Sequence, residues 1–165
     1  MKNIVDISWC ELDKMSRSET VFFQVIAPVE EHSHHLPLGT DLFLGEIWAR
    51  KAVKILEENK PNLNCIMLPN LPIAVGSMNG FPGCLYQRTK NVRKILYGVL
   101  KSLAQFGFQN IIVVASHGDP MHQISVEKAC DIINSKHGQV AISPLGSIVF
   151  SGKRPKKGVA LSRAS

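Results

Sequence analysis

The chain has 165 residues, 45% of them apolar and 19% charged, and its formal net charge at pH 7 is +6. These values are typical of one globular domain with a single hydrophobic core. No apolar run approaches the roughly 20 residues that a membrane helix needs, and the acidic N-terminal segment lacks the apolar stretch of a signal peptide, so we expect no membrane contact and a cytoplasmic location.

The positive charge is concentrated at the C-terminus. Residues 1–152 carry 14 basic and 13 acidic side chains, whereas the last thirteen residues carry five basic side chains and no acid. Both a solvated tail and a nucleic-acid patch have this composition. Because no aromatic or glycine-rich RNA-binding motif accompanies the charges, we predict a flexible tail over 151–165 and no nucleic-acid partner. Its basic residues are Lys153, Arg154, Lys156, Lys157 and Arg163.

The first clear segment is a buried strand over 21–27, because this run is β-branched and aromatic with one polar break. A polar, histidine-rich loop follows from 28 to 41. Beyond it, helical spacing predicts a helix over 42–58, which Pro61 ends. We expect one side of this helix to pack in the core. That side is lined by Leu44, Ile47, Trp48, Lys51 and Ile55.

The rest of the chain continues the alternation of strands and helices. A strand is predicted at 65–68, and the glycine- and proline-rich loop at 70–87 is long enough to favour a functional role. Strands separated by helices predict right-handed βαβ units. The predicted fold class is therefore α/β, a three-layer α/β/α sandwich with a mostly parallel central sheet. The remaining predicted elements are a helix at 91–106 stopped by Gly107, a strand at 111–115, a helix at 121–135 and a strand at 140–142.

Two polar clusters directly follow predicted strands. In the first, from Glu30 to Asp41, six of the twelve residues are His, Glu or Asp, and the second is His117-Gly118-Asp119. Ligands of parallel sheets bind outside the carboxyl ends of the strands, so the clusters converge if their strands are neighbours. Imidazole and carboxylate together suit zinc, manganese or iron. Several carboxylates favour two metals, and a lone aspartate between two ligand pairs suits the bridging position.

These residues also resemble a known family. Residues 30–41 read E-E-H-S-H-H-L-P-L-G-T-D, which is similar without a gap to the E-Q-H-G-P-H-L-P-L-G-T-D pattern of the creatininase (creatinine amidohydrolase) family. Residues 115–120 resemble its N-G-H-x-E segment, and residues 81–84 match its F-P-G-T loop with Cys84 in place of threonine. The resemblance covers roughly residues 5–135. We therefore expect a creatininase-like domain over 1–150.

The resemblance implies a metal-dependent amidohydrolase with two divalent ions. By position, Glu30 and His117 would bind one metal, His32 and Asp119 the other, and Asp41 would bridge them. The implied reaction is hydrolysis of a non-peptide, possibly cyclic, amide C–N bond by a water that the metals activate. The substrate would be a small-molecule amide. The family implies a homo-oligomer, usually a hexamer.

Several positions depart from the family pattern. Glu31, Ser33 and His34 replace glutamine, glycine and proline, which changes the groups that orient the ligands. Asp119 stands where creatininase-like members have glutamate. No H-A-x-x-x-E-T-S segment, which supplies the family's catalytic histidine, follows Val140. A catalytically inactive metal-binding fragment or relative is therefore the alternative, and a plain metal-buffering module is a third hypothesis that the F-P-G loop and second ligand pair disfavour.

Some candidate residues have ordinary structural alternatives. Asp41 and Asp119 each precede a helix and suit an N-cap, and Asp119 is followed by Pro120. His122 suits either a helix surface or a pocket, and Ser77 lies in the long loop without an assigned role. We expect Glu31, His34 and His35 to be solvated or to support the ligands, and Trp9 and Trp48 to be packing residues. We expect Cys10, Cys65, Cys84 and Cys130 to be buried free thiols in a reducing compartment.

Overall fold

The computed structural model describes residues 1–77, 80–138 and 140–149, with side chains up to 146. The predicted tail at 151–165 lies outside them. The elements predicted from the sequence occur, and their ends differ from the prediction by at most two residues. The strands are β1 (Lys2–Asn3), β2 (Thr20–Ile26), β3 (Asn64–Met67), β4 (Ile111–Ala115) and β5 (Ala141–Ile142), and the helices are α1 (Trp9–Asp13), α2 (Thr40–Asn59), α3 (Thr89–Ala104), α4 (Pro120–His137) and α5 (Pro144–Val149).

The strands form one parallel sheet in the order β1-β3-β2-β4-β5. Between consecutive strands, a helix returns the chain to the end of the sheet at which the previous strand began, as parallel pairing requires. The α/β class with a parallel central sheet is confirmed. β2 and β4 are direct neighbours, with Ile26 opposite Ala115 at their carboxyl ends.

Side chains of the central strands alternate between two apolar layers. Phe22 and Ile26 face the layer that contains α3 and α4, and Phe22 meets Phe108 edge-on with ring centroids 5.0 Å apart. Phe23 and Val25 face the opposite layer, which contains α2. A strand buried on both sides reads as the continuous apolar run that predicted β2. The three-layer arrangement is confirmed.

The predicted core side of α2 is wrong. Leu44, Ile47, Trp48 and Ile55 are 39%, 47%, 44% and 58% exposed, and the buried residues of this helix are Asp41, Gly45, Ala49 and Val53. Small residues face the sheet because the helix lies close to it. A Cβ added at Gly45 would lie 2.4 Å from the Ser116 hydroxyl oxygen and 2.7 Å from Cγ1 of Val25. Trp9, also expected to pack, is 77% exposed.

The prediction for α3 is confirmed. Val92, Leu96, Leu100 and Leu103 are buried against the sheet. The helix ends at Ala104, and Gly107 follows with a left-handed φ of +85° that glycine adopts without strain. All four cysteines are free, and Cys65 and Cys130 are buried as expected. The expected burial is wrong for Cys10, which is exposed, and for Cys84, which is partly exposed. Among the described helices, none has the length and apolar character needed to cross a membrane.

Candidate metal centre

The two polar clusters meet at one end of the sheet. Since β2 and β4 are paired in parallel, the loop after Ile26 and the loop after Ala115 leave the sheet side by side. They enclose an open cavity of about 380 Å³. The convergence expected from the sequence is therefore found. The cavity is lined by Glu30, His32, Asp41, Ser77, Tyr86, His117, Gly118 and Asp119.

Asp41 lies at the centre of this cluster. Its Oδ1 is 3.1 Å from Nε2 of His32, and its Oδ2 is 3.0 Å from Nδ1 of His117. The Ser116 hydroxyl donates to the Asp41 carbonyl at 2.7 Å and ties the first turn of α2 to the end of β4. The N-cap of α2 is Gly39, so the alternative that Asp41 caps this helix is wrong. Each Asp41 oxygen is free to face one histidine.

Glu30 completes one side of the cluster. Its Oε1 is 3.3 Å from Nδ1 of His117, and its Oε2 accepts a hydrogen bond from the Tyr86 phenol at 2.7 Å. Glu30, His32 and Asp41 each present one possible ligand atom, and these three atoms lie within 4.8 Å of one another. Both Glu30 and Asp41 are buried. A buried carboxylate needs a cation or hydrogen-bond donors nearby.

Both histidines are oriented by backbone carbonyls. His32 Nδ1 lies 3.1 Å from the Glu30 carbonyl oxygen, and His117 Nε2 lies 3.1 Å from that of Val75. A carbonyl oxygen only accepts, so these ring nitrogens carry the protons and donate. When such a ring is neutral, its other nitrogen directs a lone pair at Asp41. Backbone-oriented imidazoles of this kind are typical of metal-ligating histidines.

The electrostatics of the cluster favour a proton or a metal ion between Asp41 and each of the two histidines. Burial alone lowers the pKa of His117 and His32, but the hydrogen bonds and negative charges of Asp41 and Glu30 outweigh burial and raise both pKa values. Burial likewise raises the pKa of Asp41, but the two histidines outweigh it and hold that pKa below its usual value. Lone pairs that face carboxylate oxygens at 3.0–3.3 Å require a proton or a metal between them.

The spacing of the donor atoms suits a small divalent ion. Tetrahedral zinc holds nitrogen and oxygen ligands at about 2.0–2.2 Å, which places neighbouring ligand atoms about 3.3–3.6 Å apart. The three nitrogen–oxygen distances around Asp41 and Glu30 are 3.0, 3.1 and 3.3 Å. The donors therefore need to separate by only a few tenths of an ångström to admit an ion.

Asp119 is the N-cap of α4 and also lines the cavity. Its Oδ1 accepts from the backbone N–H groups of Met121 and His122 at 2.7 and 2.9 Å, and Pro120 occupies the first helical position. The predicted capping role is therefore present. One oxygen suffices for it, so capping and ligation are compatible, and Asp119 as a ligand stays a prediction.

His122 lies in the interior behind the site. Its side chain is fully buried, and its ring meets that of His117 edge-on with centroids 5.3 Å apart. Burial, and then the nearby His117, lower the pKa of His122 to about 4, so the ring is neutral at pH 7. Of the two alternatives for this residue, the helix surface is wrong.

The other loop candidates do not enter the cluster. His34 and His35 are exposed, and Oε2 of Glu31 accepts from the backbone N–H of Ser33 at 2.9 Å. The Glu31 N–H donates to Sγ of Cys84 at 3.4 Å, which ties the two loops together. Ser77 lines the cavity. The solvated or supporting roles expected for these side chains fit their positions.

Tyr86 is the cavity residue that the sequence analysis missed. It lies five residues after Phe81, at a position to which the motif assigned no role. Its place in the site depends on a bridge between Ala74 and Tyr86, two segments of the long loop. Local spacing carries no signal for such a contact. The clue in the sequence is that this tyrosine lies two residues after the F-P-G-C segment at 81–84.

Comparisons with known proteins identify the family and the fold of the chain. The family model described as creatininase, creatinine amidohydrolase, matches residues 5–162. No curated protein matches the chain. Three solved structures share its fold: creatinine amidohydrolase (creatininase) at TM-score 0.71 and 16% identity, a creatininase labelled Mn at 0.70 and 15%, and a mutant creatininase of Zn-Zn type at 0.69 and 13%. Each alignment covers 96% of this chain and 65% of the other.

Proposed function

Because the chain belongs to the creatininase family, we propose that it is a metal-dependent amidohydrolase that hydrolyses a non-peptide, possibly cyclic, amide C–N bond. The observation that carries this proposal is the position of Asp41, with one carboxylate oxygen 3.1 Å from His32 and the other 3.0 Å from His117. A carboxylate between two imidazoles that are oriented by backbone carbonyls suits a bridge between two ions.

The ligand assignment follows the family resemblance, and the cluster supports its Glu30–His117 pair. Glu30 and His117, whose ligand atoms lie 3.3 Å apart, would hold one ion. His32 would hold the second ion together with Asp119, and Asp41 would belong to both. The donor set suits zinc, manganese or iron. The Mn and Zn-Zn labels of the solved relatives favour the first two metals.

Two such ions, when bound, polarise an amide carbonyl and activate water. The chain's own residues orient the ligands and limit solvent. The carbonyls of Val75 and Glu30 hold the two histidine rings, and His122 closes the interior side with a neutral, buried ring. The cavity, which Ser77 and Gly118 also line, is open to solvent and accessible to a small molecule. The four free thiols favour a reducing compartment, and we propose the cytoplasm.

The test is amide hydrolysis by the metal-loaded chain. The protein is stripped with a chelator, reloaded with zinc or manganese, and assayed for release of amine from cyclic and linear non-peptide amides. We expect hydrolysis that depends on added metal. His117→Gln should lower metal affinity and activity by at least roughly 100-fold, because even residues that only orient a ligand are worth 10–100-fold.

The matched control is His137→Gln, which changes an exposed histidine at the end of α4. It should leave metal content and hydrolysis unchanged. Two bound ions without hydrolysis of any amide would contradict the amidohydrolase and favour the metal-binding relative. Absence of metal from the wild type would contradict both.

We also propose a homo-oligomer that buries the outer side of α2. This side carries five exposed large apolar residues within thirteen positions. Several exposed apolar side chains on one side of a helix are a common feature of an interface. A second copy of the chain is the partner that the family resemblance favours. The surface comprises Phe43, Leu44, Ile47, Trp48 and Ile55.

Ile47→Glu is expected to lower the solution mass from an oligomer to a smaller species, because it places a charge in this surface. Multi-angle light scattering after size exclusion measures the mass. Ile95→Glu is the matched control, since Ile95 lies on α3 and is 43% exposed, close to the 47% of Ile47. A monomeric wild type, or equal masses for wild type and Ile47→Glu, would rule out this interface.

A further inference from the structure

Tyr86 contacts a predicted metal ligand from outside the motif that supplies the ligands. Its phenol O–H donates to Oε2 of Glu30 at 2.7 Å, while Oε1 of the same carboxylate is 3.3 Å from Nδ1 of His117. The two oxygens of Glu30 therefore have different partners. One faces a neutral hydroxyl donor, and the other faces the position predicted for a metal ion.

The backbone around Tyr86 holds the phenol in this place from two sides. The N–H of Leu85 donates to the carbonyl of Val29, the residue before Glu30, at 2.9 Å. The N–H of Gln87 donates to the carbonyl of Ala74 at 2.8 Å, next to the bridge between Ala74 and Tyr86. The tyrosine is thus fixed to both segments that border the cavity.

The ring also has a dedicated space. A Cβ added at Gly76 would lie 2.1 Å from Cε1 and 2.5 Å from Cζ of Tyr86. Only glycine leaves room for the ring at this distance. Gly76 directly follows Val75, whose carbonyl orients the His117 ring. One short segment therefore positions both the phenol that binds Glu30 and the imidazole beside it.

A carboxylate held in this way is restricted as a ligand. The terminal torsion of a glutamate is broad, so a free carboxylate can rotate or bind an ion through both oxygens. A hydroxyl donor on Oε2 favours one orientation and leaves Oε1 as the single oxygen available to the ion. Outer hydrogen bonds of this type orient ligands and tune the affinity of metal sites.

We propose that Tyr86 is a positioning residue of the metal centre, which holds Glu30 so that Oε1 alone binds the ion shared with His117. This inference rests on the proposed metal site. It assigns a role to a side chain that lies outside the ligand set and that acts only through Glu30. It also predicts that the two metal positions respond differently, because Tyr86 contacts neither His32 nor Asp119 by a described hydrogen bond.

The experiment compares metal affinities of the full chain and of Tyr86→Phe, which removes the hydroxyl and keeps the ring on Gly76. Zinc is titrated against a chromogenic chelator of known affinity, and the melting temperature of the metal-free proteins is measured in parallel. In Tyr86→Phe we expect the zinc affinity of the position shared by Glu30 and His117 to fall by about 10–100-fold. The zinc affinity of the second position and the melting temperature of the metal-free protein should stay close to the wild-type values.

The chain has two tyrosines, so Tyr97→Phe is a matched control. The Tyr97 hydroxyl accepts from Lys136 Nζ at 3.2 Å on the exposed side of α3, away from the cavity. The variant Tyr97→Phe should bind zinc with the same affinities as the wild type. Zinc binding should also perturb the ultraviolet absorbance of tyrosine in wild type and Tyr97→Phe but not in Tyr86→Phe, a change that a purely structural role would not produce.

The outcomes separate this inference from the proposed function. If wild type binds two ions and Tyr86→Phe binds both equally well, the positioning role is wrong and the metal site stands. If wild type binds no zinc, both are wrong. A fall of more than about 5 °C in the melting temperature of metal-free Tyr86→Phe would also overturn the inference, because it would indicate a role in folding.

Discussion

Asp41→Asn is expected to reduce the metal content from about two ions per chain to at most one, the largest effect that any single substitution should have on the centre. The carboxylate places Oδ1 toward His32 and Oδ2 toward His117. An amide of the same shape has one oxygen, and its NH₂ group has no lone pair for a metal. It therefore serves at most one of the two positions.

The substitution is also expected to leave the fold intact. The contact that ties α2 to β4 uses the backbone carbonyl of Asp41, which asparagine retains. Metal content is measured by elemental analysis after loading and buffer exchange, and folding by circular dichroism. With the protein folded and hydrolysis assayed alongside, the loss of metal and the loss of activity should coincide.

Glu58→Gln is the matched control for Asp41→Asn. Glu58 lies near the other end of the same helix, is exposed, and has its carboxylate 4.0 Å from Lys54. Removing this charge should not change the metal content, since an exposed ion pair of this kind contributes little. If Asp41→Asn retains two ions, the bridging assignment is wrong. If both variants lose metal equally, the effect is one of net charge and not of coordination.

Gly45→Ala is expected to lower the melting temperature by about 4–8 °C, which corresponds to about 2 kcal/mol for a chain of this size. An added Cβ would lie 2.4 Å from the Ser116 hydroxyl and 2.7 Å from Val25. Overpacking of this kind costs about 1–3 kcal/mol. If Ser116 rotates away, its hydrogen bond to the Asp41 carbonyl is lost, at about 1 kcal/mol. The better helix propensity of alanine offsets about 1 kcal/mol of this loss in stability.

Gly98→Ala tests the same substitution without the clash. Gly98 is an exposed residue of α3, and a Cβ there would have nothing within 4 Å. Only the propensity gain remains, so its melting temperature should rise by about 2–4 °C. Differential scanning calorimetry on both variants measures the two shifts. Equal shifts of the same sign would show that α2 does not lie as close to the sheet as Gly45 indicates.

Gly45→Ala should also weaken metal binding, because Gly45 is one turn after Asp41 on the side of α2 that faces the sheet. Pushing this turn outward moves the Asp41 carboxylate away from His117. Metal titration of the folded variant measures this effect. Unchanged affinity together with a lower melting temperature would mean that the strain is absorbed away from the first turn of α2.

The sequence by itself determined the elements and most of the site. The apolar run at β2 and the clear strand β4 are local signals, because a parallel strand buried on both faces must be apolar throughout. The motif around Glu30 predicted three candidate ligands, Glu30, His32 and Asp41, and the fold brings their side chains close together. The loop after β4 lies beside this motif because loops at the carboxyl ends of adjacent parallel strands are neighbours at the same end of the sheet.

The tertiary structure alone decided which side of α2 is buried. Periodicity places Leu44, Trp48 and Ile55 along one side of the helix, but an angular pattern does not say how close the helix lies to its sheet. Because α2 packs close to the sheet, the small residue Gly45 lies on its inner side, and the large apolar residues lie on its outer side. Sequence spacing also gives no signal for the role of Tyr86, because its hydrogen bond to Glu30 joins residues 56 positions apart. Contacts between distant segments depend on the packing of the whole chain, which local composition and spacing do not encode.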